Sequence, residues 1–347
     1  MSVPAVEDGA RLDGARLFEL PAPQPGDRAT LWRPAPGRRA PARRRPRRPP
    51  PLLLAVDGNA LAHRVFHAVG GDDADPGAAP ERFLAVLARV AASTRATACV
   101  VGFDDPERSV RRDLHPAYKA QRPAKSGRLL GFLDQATGLV AALGLSTVVP
   151  DGLEADDVLG SAAHLARSRG FAATLVTGDR DAFSLVSPTV TVWLLANGGS
   201  TVRVSPSRVA ASHGIPPAAY LEFAALRGDS SDNLPGVRGI GAMTAARLLR
   251  AYPTVTDALD DPEGLVRLLG PYLARTLVDQ REVFEHNREL MRIRVDVPLD
   301  LDACNRPLPR AALAPVLAEH GLGDLTDRLA RALALIGQSA WRCPPPP

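Results

Sequence analysis

Lysine is nearly missing from this 347-residue chain: there are two, against 40 arginines. Both, Lys119 and Lys125, fall within one seven-residue window. An ammonium is a compact point charge on a flexible stem and can give up its proton, which a guanidinium does not do. The window therefore reads either as a place that needs an ammonium or as chance in an Arg-biased composition. Cysteine is also scarce. Cys99, Cys304 and Cys343 are odd in number and far apart. That argues against a disulfide framework and a zinc cluster, and suits reduced thiols in a cytosolic protein. No apolar run approaches the roughly 20 residues of a membrane span. Residues 1–20 lack a signal-like apolar stretch, so secretion is not expected.

The net charge of +4 is unevenly spread. Residues 1–50 hold 11 Arg and five acids, a balance of +6, and the rest holds 31 basic and 33 acidic residues, a balance of −2. The remainder is thus not basic overall, and any affinity there for a polyanion must come from a local patch. Residues 1–50 are also rich in Pro, Ala and Gly and close on P-A-R-R-R-P-R-R-P-P-P. Such density of proline predicts a disordered basic tail with weak, salt-sensitive attraction to nucleic acid. A non-functional extension, or a start codon placed too far upstream, explains it equally well. Residues 336–347, ending in four prolines, are expected to be disordered too.

What the chain does have is nine acids in five short clusters. They are Asp57 in A-V-D-G-N, Asp104 in V-G-F-D-D, and Glu154, Asp156 and Asp157 in L-E-A-D-D. Asp179 and Asp181 follow in V-T-G-D-R-D, then Asp229 and Asp232 in R-G-D-S-S-D-N. The apolar runs 52–56, 98–103, 145–149 and 173–177 read as buried parallel strands. Helical patterns near 80–95, 128–143 and 155–169 lie between them, which predicts an α/β parallel sheet covered on both faces. Ligand sites in such sheets lie beyond the carboxyl ends of the strands, where Asp57, Asp104 and Asp179 fall. Each Asp alone reads as a cap or turn residue. Three acids within four residues in L-E-A-D-D exceed what one cap uses. Together the nine repel one another unless a positive charge sits among them. Divalent cations such as Mg²⁺ bind through carboxylates, and paired cations suit phosphodiester cleavage.

Three further segments complete the reading. V-T-V-W-L-L and T-V-R-V around Asn197-Gly198-Gly199 predict a hairpin. S-V-R-R-D-L-H-P-A-Y-K-A-Q-R (109–122) reads as a basic strap over the acids, touching phosphates through Arg111, Lys119 and Arg122, or as a solvated charged loop. In G-D-S-S-D-N-L-P-G-V-R-G-I-G-A-M (228–243), Gly236, Gly239 and Gly241 allow a tight turn between helices. The helix after it would start near Ala242 and offer unpaired N–H groups to a phosphate. After Pro206 the pattern is mostly helical, with a short strand expected near 293–297.

The motifs V-D-G-N-A-L-A-H-R-V-F-H-A, Y-K-A-Q-R, E-A-D-D, T-G-D-R-D and G-D-S-S-D-N-L-P-G-V-R-G-I-G stand in order from about Leu52 to Leu249. In them the chain resembles the bacterial 5′→3′ exonuclease and flap endonuclease family, which includes the N-terminal nuclease domain of DNA polymerase I. The resemblance implies a PIN-like core with a helical arch, plus a helix–three-turn–helix (helix–hairpin–helix) region. It implies a catalytic domain at 51–205, a helical DNA-binding domain at 206–335, and a free-standing nuclease. By the same resemblance, Asp57, Asp104, Glu154, Asp156 and Asp157 would hold one metal. Asp179, Asp181, Asp229 and Asp232 would surround a second. The ions would be Mg²⁺, with Mn²⁺ as alternative, and K⁺ would sit at the hairpin.

Lys119 and Arg122 would act on the scissile phosphate. Arg64, Arg111, Tyr118 and the three hairpin glycines would touch DNA. Substrates would be DNA 5′ ends, nicks and flaps and RNA–DNA primer junctions, for a monomer in the cytoplasm near the nucleoid. His115, Ser184 and Met243 depart from the family's usual tyrosine, glutamine and lysine. A PIN-like ribonuclease is disfavoured because the hairpin suits duplex backbone. A non-catalytic DNA-binding paralogue is disfavoured because binding alone gains nothing from nine acids.

Overall fold

The computed structural model describes residues 51–196, 200–300 and 307–337. The basic tail and the hairpin tip at 197–199 lie outside the described residues, as does all but the first two positions of the 336–347 segment. A six-stranded sheet forms the centre, in the order β3-β2-β1-β4-β5-β6. Its strands are β1 (Leu52–Asp57), β2 (Ala98–Gly102), β3 (Ser146–Val148), β4 (Ala172–Thr177), β5 (Val190–Leu195) and β6 (Thr201–Val204). The first five run parallel, and β6 returns antiparallel to β5 as the expected hairpin.

The strands read as continuous apolar runs because helices cover both faces. Alternate residues of one strand serve different cores. Leu53 and Ala55 of β1 join one cluster, and Leu54 and Val56 join the other. The second cluster is closed by α1 (Gly58–Ala68), α2 (Ala78–Thr94) and α4 (Gly127–Ala142). The first is closed by α5 (Ala155–Ser168) and runs on without a break into the helices after residue 206. These are α6 (Pro206–His213), α7 (Tyr220–Arg227), α8 (Ala242–Ala251), α9 (Val255–Leu259), α10 (Pro262–Leu269), α11 (Pro271–Asp279) and α12 (Arg281–Leu290). Two more, α13 (Arg310–Glu319) and α14 (Thr326–Leu333), pack on each other, and α14 comes back against α2. The described residues all fall within one compact unit. Among the described residues no helix is long and apolar enough to cross a membrane.

Two expectations need correction. Residues 293–297 are not a strand. The segment has no ladder partner and instead bonds to helix side chains: Arg294 N donates to Asp157 Oδ1 at 2.9 Å and Val297 N to Ser161 Oγ at 2.9 Å. Gly160 permits this, since a Cβ there would fall into the Arg294 carbonyl. The turn at 228–235 also carries a small antiparallel ribbon, β7 (Gly228–Asp229) with β8 (Leu234–Pro235), which alternation was too short to reveal.

Candidate active site

Three parallel strands deliver acids to one sheet edge. Asp57 ends β1 and caps α1, its Oδ1 accepting from Ala60 N at 2.7 Å. Asp104 lies two residues past β2, and its Oδ1 accepts from Ala155 N at 3.0 Å, the first backbone amide of α5. Asp179 lies two past β4, and its Oδ1 accepts from Asp181 N at 2.8 Å. Gly102 lets α5 approach β2, because a Cβ there would stand 2.8 Å from Val158 Cβ. That contact brings Glu154 and Asp156, at the start of α5, to the same edge.

Eight of the nine acids share one field. Asp57 is raised to about 7 by burial, then by Asp104 and Asp179. Asp104 is raised by burial and by Glu154. Asp156 is raised by burial, then by Asp179, Asp57 and Glu154. Burial, with Asp232 and Asp229 behind it, also raises Asp179. Asp181 is raised by burial, then by Asp179, Asp229 and Asp232. Asp156, Asp179 and Asp181 keep some solvent-facing surface although protein surrounds them, so the cluster lines a cleft open to water.

The basic strap lies directly on this cleft. Its helical part is α3 (Val110–Leu114), capped by Ser109, and turns follow to the start of α4. Lys119 Nζ pairs with Glu154 Oε2 at 2.9 Å, and Tyr118 Oη donates to the same oxygen at 3.3 Å. Arg122 pairs with Asp232. Burial alone would lower the Lys119 pKa, but Glu154 and Asp232 outweigh it and raise it. Lys119 also holds a left-handed φ of 56° while its N–H donates to Asp232 O at 3.0 Å. Gln121 Nε2 donates to Ser230 O at 2.8 Å and Asn233 Nδ2 to Ala117 O at 2.9 Å. The strap is thus tied to the turn that carries Asp229 and Asp232.

Three expected contacts differ. Tyr118 is 4% exposed, with its ring under Lys119 Nζ, so in this conformation it presents no face to a base. Arg111 is buried rather than open to a phosphate. Its guanidinium bonds both oxygens of Asp157 at 2.8 Å, and its Nε donates to Leu290 O at 2.9 Å. Asp157 is fully buried, its charge met by Arg111. Arg64 is half-buried, its guanidinium beside Gly178 of the T-G-D-R-D turn.

Two residues escaped the sequence reading. Thr177 Oγ1 donates to Asp57 Oδ2 at 2.8 Å and accepts from Asp179 N at 3.0 Å, joining two clusters. Asn59 Nδ2 donates to Asp104 Oδ2, and its Oδ1 accepts from Asp104 N at 3.3 Å. Each stands beside a cluster, Thr177 as the polar end of an apolar strand. That was the available signal.

In the hairpin, Gly236 serves packing, since a Cβ would strike the Arg227 carbonyl, and Gly239 has φ +74°. Gly241 meets no neighbour and caps α8, whose first N–H groups receive no side-chain cap. The donor set at the cleft is wholly oxygen, which suits hard divalent cations. In this conformation no three acidic, His or Cys side chains among the described residues form a ready cage for an ion. Lys119 and Arg122 hold Glu154 and Asp232 instead.

Comparison with known proteins agrees with this architecture. A family model for the 5′-3′ exonuclease N-terminal resolvase-like domain matches residues 52–214, and one for the 5′-3′ exonuclease C-terminal SAM fold matches 215–311. DNA polymerase I of Mycobacterium leprae is 33% identical over 300 residues, covering 83% of this chain and 32% of that protein. Thermostable DNA polymerase I of Thermus filiformis is 38% identical over 259 residues, covering 73% and 30%. The chain therefore spans about a third of the length of these relatives. Among solved structures, the T5 D15 protein co-crystallised with metal ions has a TM-score of 0.60 at 21% identity, covering 83% of this chain and all of that one. Human GEN1 in complex with Holliday junction DNA has a TM-score of 0.54 at 16% identity, covering 82% and 72%. Those two likenesses are of fold. Because the two family models abut and run from the first strand to residue 311, the chain belongs to the 5′-3′ exonuclease family.

Proposed function

We propose that this protein is a divalent-metal-dependent 5′→3′ exonuclease and flap endonuclease acting on DNA 5′ ends, nicks and flaps and on RNA–DNA primer junctions. The observation that carries the reading is the cleft itself: eight carboxylates in one field, with the chain's strap cation Lys119 laid on Glu154. Asp57, Asp104, Glu154 and Asp156 are proposed to hold one Mg²⁺, and Asp179, Asp181, Asp229 and Asp232 to surround a second. When bound, such ions supply Lewis acidity to the phosphoryl oxygens and lower the pKa of an attacking water.

The chain's own groups do the rest. Lys119, kept charged by Glu154 and Asp232, and Arg122 exchange a carboxylate partner for the phosphate and stabilise the charge that grows on it. Thr177 and Asn59 hold Asp57 and Asp104 in place. The uncapped start of α8 grips a backbone phosphate without reading sequence. Carbonyls of the hairpin are the proposed K⁺ site. The catalytic part is proposed to be 51–205 and the DNA-gripping part 206–335. We propose a monomer working in the cytoplasm near the nucleoid.

The test uses the full chain with a labelled 5′-flap duplex. Asp179→Ala should abolish Mg²⁺-dependent cleavage and leave binding measurable. Wild-type cleavage by that variant would sink the metal assignment.

A further inference from the structure

We propose that Arg111 and Asp157 are a buried positioning pair that sets Glu154 and the root of the strap, and that Asp157 touches no metal. The inference rests on the nuclease reading above. An ionised carboxylate offers about four lone-pair sites, and Asp157 has used them. Its Oδ1 receives Arg111 Nη2 at 2.8 Å and Arg294 N at 2.9 Å. Its Oδ2 receives Arg111 Nη1 at 2.8 Å and Glu154 N at 3.1 Å. A cation could bind Asp157 only by displacing Arg111, which would strand a buried guanidinium, or by stripping a backbone N–H of Arg294 or Glu154 of its acceptor.

Arg111 is equally committed. Besides the fork on Asp157, it donates to Leu290 O at 2.9 Å and Arg292 O at 3.2 Å, and Nη1 lies 3.4 Å from Glu154 Oε2. One ion pair therefore joins α3 of the strap, the first turn of α5, and the segment that follows α12. Glu154, which receives Lys119, is held from its backbone by Asp157 and from its side chain by Arg111. The pair thereby fixes where Lys119 meets the acids, eight residues along the strap from Arg111. In this family motif of three acids, two face the cleft and the third faces the scaffold.

The test reads metal and strap separately. Mn²⁺ is titrated into the full chain, and hydrogen exchange is followed for amides 110–122. Asp157→Asn should keep the wild-type number of Mn²⁺ ions and lose about 10- to 100-fold in affinity, as outer partners of a site do. Exchange across 110–122 should speed up at least tenfold, on the order of a lost buried bond. Arg111→Lys keeps the charge and loses the fork, and should give the same pattern. Because the two residues act as one unit, the double variant should be no worse than the worse single one.

Loss of an ion in Asp157→Asn would overturn the proposal, as would additive effects or unchanged exchange in Arg111→Lys. Should Asp157→Asn not fold, Arg111→Lys alone decides it by the same two readings. Asp57→Asn serves as the separate control. If it changes neither Mn²⁺ binding nor cleavage, the nuclease reading fails, whatever the strap does.

Discussion

Asp57 carries two duties that pull against each other. As the cap of α1 and the acceptor from Thr177 it favours ionisation, yet burial and its acidic neighbours raise it to about 7. Asp104, Asp156, Asp179 and Asp181 are raised as well. An acid raised in the fold keeps a proton that the unfolded chain has already lost, so its folded form is favoured at low pH. This contribution declines as pH climbs from the ordinary carboxylate range near 4 through about 7. A cation that binds only the folded state opposes that loss. Mg²⁺ should therefore raise the melting temperature more at pH 8 than at pH 5, where protons compete for the same oxygens. Thermal melts at the two pH values, with and without Mg²⁺, check this, and equal shifts would contradict the shared field. The residue types here were plain in the sequence. That Asp157 answers Arg111 while its neighbour Asp156 faces the cleft was not, because adjacent positions on a helix point about 100° apart and only packing says which direction is inward.

At the scale of elements, β1, β2, β3, β4 and the β5–β6 hairpin were legible from apolar runs and turn residues, since each strand is covered on both faces. The strap was legible as a basic segment over the acids, but its particular partners were not, because they come from residues 154 and 230–233. The hairpin glycines also divide by role once packing is known. Gly236→Ala pushes a methyl into the Arg227 carbonyl and should cost about 1–3 kcal/mol. Gly241→Ala meets nothing and should cost less than about 1 kcal/mol, while the added methyl beside the α8 N-terminus weakens duplex binding. Denaturant melts and fluorescence anisotropy with a DNA duplex measure the two effects. A neutral Gly236→Ala would remove the packing argument.

For the whole molecule, the family match stops at residue 311 but the core does not. Leu313, Leu317, Leu329, Leu333 and Ile336 are all nearly inaccessible, in the cluster that α2 and the sheet share. Leu308 N reaches Leu143 O at 3.0 Å, and Gly337 N reaches Thr97 O at 2.9 Å. Burying five such side chains is worth roughly 10 kcal/mol, similar to the whole stability of many domains. A chain stopped before Arg310 keeps every proposed catalytic residue and should still lose cooperative folding, as a calorimetric scan would show. A sharp, near-native transition would mean that this segment is an accessory. The segment 293–297 shows the same limit of sequence reading. Its alternation suggests a strand, yet it bonds to Asp157 and Ser161 on α5 because Gly160 leaves room for its backbone.

By itself the sequence determined the parallel sheet, the acids at its strand ends, the hairpin turn and the family, because apolar periodicity and residue chemistry are local properties. Only the tertiary structure decided that the strap closes onto Glu154 and Asp232, that Arg111 and Asp157 consume each other's charge, and that the last helices complete the core. Those are meetings between residues up to 240 positions apart, and they depend on how close two backbones can come and on which charges are left without water.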